Sequence, residues 1–171
     1  MRDFVTRSIQ NIIQSALALG LLAAGLAGSS CKPRPTAKPD QNSGPTKVET
    51  CLVAINNDTN SAIEQFLEAD LTQGKLFSRE NPLSYAEADF AKLDRSSRDK
   101  VFQKATSELT AAKKLARAVK ERRDHARSSG DTALATKCNA QLSGFAERLQ
   151  GPENLKLTQL VGAAIKKMAA E

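Results

Sequence analysis

Between Phe102 and Val119 the apolar side chains fall at Phe102, Ala105, Leu109, Ala112, Ala116 and Val119, in alternating steps of three and four residues. Only an α-helix gathers that spacing onto one face, because its 3.6-residue turn aligns positions three and four apart. A strand would scatter the same residues over both of its sides. The seam is narrow and rich in small residues, a pattern that admits a partner helix at close range. Nowhere does the chain alternate β-branched with polar residues. Ala, Leu, Lys, Glu and Arg, all good helix formers, dominate instead. The expected fold class is therefore all-α.

Punctuation sets the other elements. Ser128-Ser129-Gly130 stops the long helix, Asp131 caps the next, and Gly151-Pro152 ends it. Leu134, Cys138, Leu142, Phe145 and Leu149 form the inner stripe of that second helix. Segments 97–128 and 131–150 should pair as an antiparallel αα-hairpin, because their connection is short. Leu157, Leu160, Val161, Ala164, Ile165 and Met168 mark a last helix. Upstream, Leu52, Ile55, Thr59, Ile63, Phe66 and Leu67 predict a helix over about 49–72, with a polar stretch from Asn56 to Asn60 able to break it. Ser84 and Glu87 form a capping box behind Pro82, opening a helix that carries Tyr85, Ala88, Phe90 and Leu93. Ser96 with Asp99 resembles a further cap, which marks either a break or a helix that runs through. The sum is a small bundle of four or five helices over residues 48–171, with a long central αα-hairpin. No repeat of fixed period is visible.

The chain begins differently. Arg2, Asp3 and Arg7 are its only charges before Lys32, and Ala16 to Gly28 is a run of Leu, Ala and Gly. A basic start, a short apolar core and small residues after it are the parts of a secretory signal. The core is shorter than the roughly 20 apolar residues of a comfortable membrane span. Gly28-Ser29-Ser30 leads directly into Cys31. Residues 1–31 thus resemble the signal peptide of a bacterial lipoprotein, a class in which the Cys becomes the first mature residue and carries lipid. Where that class prefers Leu three places before the Cys, this chain has Gly28, with Leu26 two places further upstream. The resemblance implies a signal peptide over 1–30, lipidation at Cys31 and a site in the cell envelope. It implies nothing about the mature domain. Competing readings are cleavage without lipid after Ser29 or Ser30, an uncleaved anchor over 8–30, and an accidental apolar stretch. Lys32, Arg34 and Lys38 favour the anchor in reverse orientation, since basic residues tend to stay cytoplasmic.

Residues 32–47 hold four prolines and no large apolar side chain. Such a stretch buries too little surface to offset chain entropy, and its prolines favour extended conformations. With Cys31 it is expected to form a disordered, semi-stiff tether over 31–47. Two cysteines then remain. Parity and an oxidising compartment predict a Cys51–Cys138 disulfide, typically worth about 2–4 kcal/mol. The alternative is that each is a small buried hydrophobe.

Signs of catalysis are sparse. The one histidine, His125, has Asp124 beside it in sequence and therefore about 100° away around a helix, too far to be oriented by it. No phosphate loop, nucleophile elbow or zinc motif occurs. Glu64, Glu68 and Asp70 could in principle serve a glycosidase, but an i, i+4 carboxylate pair is more often a solvated face. No metal and no cofactor is expected, and no enzymatic activity. Asn57-Asp58-Thr59 is a glycosylation sequon, which has meaning only in a eukaryotic secretory pathway.

Charge is the remaining feature. The chain carries +6, and the segment from Lys113 to Arg127 concentrates it in Lys113, Lys114, Arg117, Lys120, Arg122, Arg123 and Arg127 against Glu121 and Asp124. Lys113, Arg117, Lys120 and Arg127 share an arc of about 80° beside the apolar seam. They are the candidate binding stripe for an anionic partner: envelope protein, cell-wall polymer or anionic lipid. The plainer reading is a solvated face, with Arg117–Glu121 and Lys120–Asp124 as i, i+4 ion pairs. Nucleic acid is not expected, since no aromatic residue lies among these charges. The expected function is thus a non-enzymatic helical interaction module, anchored by lipid at Cys31 on the periplasmic or extracellular face. Its alternatives are a small secreted enzyme or effector acting on the envelope, and a cytoplasmic coiled-coil protein tethered by residues 8–30.

Overall fold

The computed structural model describes residues 44–171, which contain six α-helices and no strand. The expectations for residues 1–43, including the signal segment, Cys31 and most of the tether, lie outside the described residues. α1 (Lys47–Ala54) and α2 (Thr59–Leu67) form a short packed pair. After a loop and a 3-10 turn at Pro82–Ser84 come α3 (Glu87–Ala91) and the long α4 (Arg95–Ser128). α5 (Thr132–Leu149) and α6 (Lys156–Ala170) complete the all-α bundle.

α4 is the axis of the fold. At 34 residues it is roughly 51 Å long, and α1, α2, α5 and α6 all pack on it. Its narrow seam closes within the monomer from Ala105 onward, since Ala105, Leu109, Ala112, Ala116 and Val119 are all buried, whereas Phe102, the first residue expected on it, is exposed because no element packs over that first turn of the seam. Ala111 and Leu115 are buried too, so the apolar face is wider than the seam. The facing helices supply Leu52, Phe66, Leu142, Phe145, Leu149 and Ile165. Phe66 meets Phe145 edge to face, with centroids 5.3 Å apart, a favoured aromatic geometry. α5 and α6 form the tightest pair. A Cβ on Gly162 of α6 would stand 2.9 Å from both the Ala146 carbonyl and the Leu149 Cβ of α5.

Several boundaries differ from the sequence reading, each for a local reason. The helix expected over 49–72 is two helices, because Asp58 caps a new one by accepting a hydrogen bond from the Ser61 N–H. Its end falls at Leu67, where the Gln141 side chain from α5 donates to the carbonyls of Phe66, Leu67 and Ala69. The Ser84–Glu87 capping box does not form. Pro82 seeds a 3-10 turn whose last residue is Ser84, and the Ser84 hydroxyl donates backward to Arg79 and Asn81. Ala86 stands at the N-cap of α3 without a side-chain bond. Glu87 instead accepts from the Lys156 N–H at 2.9 Å, joining α3 to the start of α6. Ser96 is no cap either. Asp94 holds that place and accepts from both the N–H and the hydroxyl of Ser97, so α4 runs unbroken.

The start of the bundle is pinned by Glu49. A capping box joins Thr46 and Glu49, and the same carboxylate accepts from the Ser78 N–H at 3.1 Å and the Ser78 hydroxyl at 2.8 Å. Thr46 donates its hydroxyl to the Leu76 carbonyl. A loop that would otherwise flank α1 loosely is thereby tied to it. Among the described residues no helix is long and apolar enough to cross a membrane.

Candidate interaction surface

The four stripe residues do occupy one side of α4, as its period requires, but they are not equivalent. Asp124 stands inside the same arc. Its carboxylate lies 3.1 Å from the Lys120 ammonium and 3.9 Å from the Arg127 guanidinium. Lys120 also approaches Glu171 at 3.5 Å. Hydrogen bonding to Asp124 raises the Lys120 pKa, and hydrogen bonds from Lys120 and then Arg123 hold Asp124 below the ordinary carboxylate value. Lys120 and Arg127 therefore belong to an internal ion cluster at the end of α4. Lys113 and Arg117 are exposed and form no ion pair among the described residues. The expected Arg117–Glu121 pair is absent from that set, while Lys120–Asp124 is present.

Arg123, adjacent to the stripe in sequence, plays another part. It is fully buried. Its Nη1 donates to the Met168 and Ala169 carbonyls at 3.0 and 3.1 Å and to the Asn139 side chain at 3.2 Å, while Nε donates to Asp124 at 3.0 Å. Nη2 lies 3.0 Å from the Asp124 carboxylate but has no hydrogen bond in line. A helix leaves its last four carbonyls unpaired. Arg123 satisfies two of them at the end of α6 and brings the favourable charge to that dipole. The sequence shows only one basic residue among seven; its inward side of α4 was the available clue.

The acidic candidates are also tied down. Glu68 pairs with Lys137 of α5, and Glu64 lies 3.9 Å from Arg122 of α4. The bond from Lys137 keeps the Glu68 carboxyl below its ordinary value, so it stays ionised at neutral pH and holds no proton to give. Both glutamates are exposed and line a surface recess of about 360 Å³ with Lys47, Thr50 and Gln65. Asp70 accepts from the N–H and hydroxyl of Thr72, a local turn bond. His125 is exposed, and its carbonyl serves the end of α4. No group of three or more metal-ligating side chains occurs among the described residues.

The Cys51–Cys138 bridge is not formed: both residues are free and fully buried. They sit on different helices of the one core. Cys51 faces inward from α1, which packs chiefly on α2 and α4, whereas Cys138 faces inward from α5, which packs chiefly on α6 and α4. Each thiol fills an apolar place in the core. Burial pushes Cys51 up to about 11 and also raises Cys138. Both are protonated, unreactive side chains.

Compared with known proteins, the chain matches no family model, no curated sequence and no solved structure. The class it defines rests on its own geometry: a six-helix all-α domain arranged around one long helix, with an exposed basic face at that helix's middle.

Proposed function

We propose that this protein is a cell-envelope lipoprotein, held to a membrane by lipid at Cys31, whose helical domain is a non-enzymatic interaction module. The observation that carries this reading is the uncharged segment from Ser8 to Ser30 running into Cys31, followed by a proline-rich stretch and then a packed domain. That order supplies an anchor, a spacer and a body. The body offers its partner Lys113 and Arg117, the stripe cations not engaged by Asp124.

The test is the intact, non-reduced mass of the protein taken from its native membrane fraction. A chain beginning at Cys31 and heavier by its acyl chains is the expected result. A chain beginning at Met1, or one beginning near Cys31 without added mass, overturns the lipoprotein reading.

A further inference from the structure

Resting on that reading, we propose that the outward face of α4 from Phe102 to Arg117 lies on the anionic headgroups of the membrane that holds the anchor. Along this face Phe102, Thr106, Thr110, Lys113, Lys114 and Arg117 are all exposed. The only carboxylate in that span is Glu108, which falls about 140° around the helix from Lys113. Asp99 and Glu121 bound the face at its two ends, and beyond Arg117 the charges close on Asp124. The middle of α4 therefore presents cations, hydroxyls and one aromatic ring.

Shape and chemistry favour a plane over a pocket ligand. A single helix side is convex and cannot enclose a small molecule. The Thr106 and Thr110 hydroxyls donate to the Phe102 and Thr106 carbonyls, each at 2.8 Å. They are committed to the helix itself, so what remains for a partner is charge without fixed hydrogen-bond geometry. Headgroups are recognised in that way. Phe102 is 52% exposed and lies within about 20° of the Lys113 meridian. A ring at this place can enter the interfacial region, where aromatic side chains are favoured. The stretch from Cys31 to Thr46 reaches at most roughly 50 Å when extended as polyproline II, so the domain stays near the bilayer throughout.

The chain has no Trp, so F102W creates a single reporter at an exposed position. The full-length F102W protein, extracted from membranes in detergent, is reconstituted into phosphatidylcholine vesicles with or without phosphatidylglycerol, using brominated acyl chains as quenchers. Expected is quenched, blue-shifted emission on the anionic vesicles only, reversed by salt. Adding K113Q and R117Q should weaken this response about thirtyfold, with circular dichroism showing the fold retained. Emission unchanged on anionic vesicles overturns the proposal. If it then shifts on a soluble polyanion such as polyglutamate, the face serves an acidic partner instead. Co-flotation with neutral vesicles reads the anchor separately: its loss sinks the lipoprotein reading, whereas its retention without quenching sinks only the membrane-facing α4.

Discussion

Three polar side chains, two buried and one half-buried, act at helix ends. Arg123 caps α6, Gln141 caps α2, and Glu49 binds the loop at Ser78 to the start of α1. Each satisfies backbone or hydroxyl groups that burial would otherwise leave unpaired. Truncation should therefore cost more than a surface change. Arg123→Ala removes a fully buried side chain and its bonds to Met168 and Ala169, and should destabilise by about 2–4 kcal/mol. Denaturant unfolding would measure the loss, and amide exchange should show the end of α6 opening first. An exchange pattern unchanged along α6 would contradict the capping role. None of these three roles is legible from the sequence, because each depends on which backbone lies across from the side chain.

At the scale of elements, caps and close approaches set the boundaries. Asp94 starts α4, where the sequence reading pointed to Ser96. Asp94→Ala should cost about 1 kcal/mol, while Ser96→Ala should stay within about 0.5 kcal/mol of the parent. Thermal melts of the two variants separate the assignments. Gly162 permits α5 and α6 to meet. Gly162→Ala adds helix propensity but drives a Cβ onto the Ala146 carbonyl, and a net loss of about 1–2 kcal/mol is expected by calorimetry. The hairpin of α4 and α5 was readable because Gly130 and Asp131 are local signals. The split between α1 and α2 was half readable, since Asn56–Asn60 marks a weak point but Asp58 decides it. α3 was misread because Ser84 is taken by the turn that Pro82 starts.

Two glutamates on packed elements contribute to the response of the whole molecule to pH. Burial alone would raise Glu49, but the donors of Thr46 and Ser78 more than offset it and lower its pKa. Glu108 on α4 is raised, first by burial and then by the Glu49 charge. The two work oppositely. Glu49 stabilises the fold above its ordinary value of 4.5, and that contribution is lost as pH falls through its lower folded pKa. Glu108 carries a penalty at neutral pH, relieved as pH falls through its raised folded pKa toward 4.5. Glu108→Gln should therefore raise the melting temperature at neutral pH, and its advantage should fade on acidification toward that value. An advantage that persists unchanged in acid would mean that packing, not charge, is responsible.

The sequence by itself determined the helical class, the long helix with its apolar seam and the hairpin it forms, because periodicity and turn residues act over a few positions. It also placed the cations on one side of α4, since the helical repeat alone fixes their azimuth. The pairs of Asp124 with Lys120 and Arg127 are likewise local, at i, i+4 and i, i+3 on one helix; tertiary structure added the approach of Glu171 to Lys120 and turned Arg123 inward onto the end of α6. It likewise decided the cysteines. Parity suggested a bond, but α1 and α5 each bury a free thiol in the apolar core. Whether two side chains meet depends on how layers stack, and that is a property of the folded chain and of no single segment.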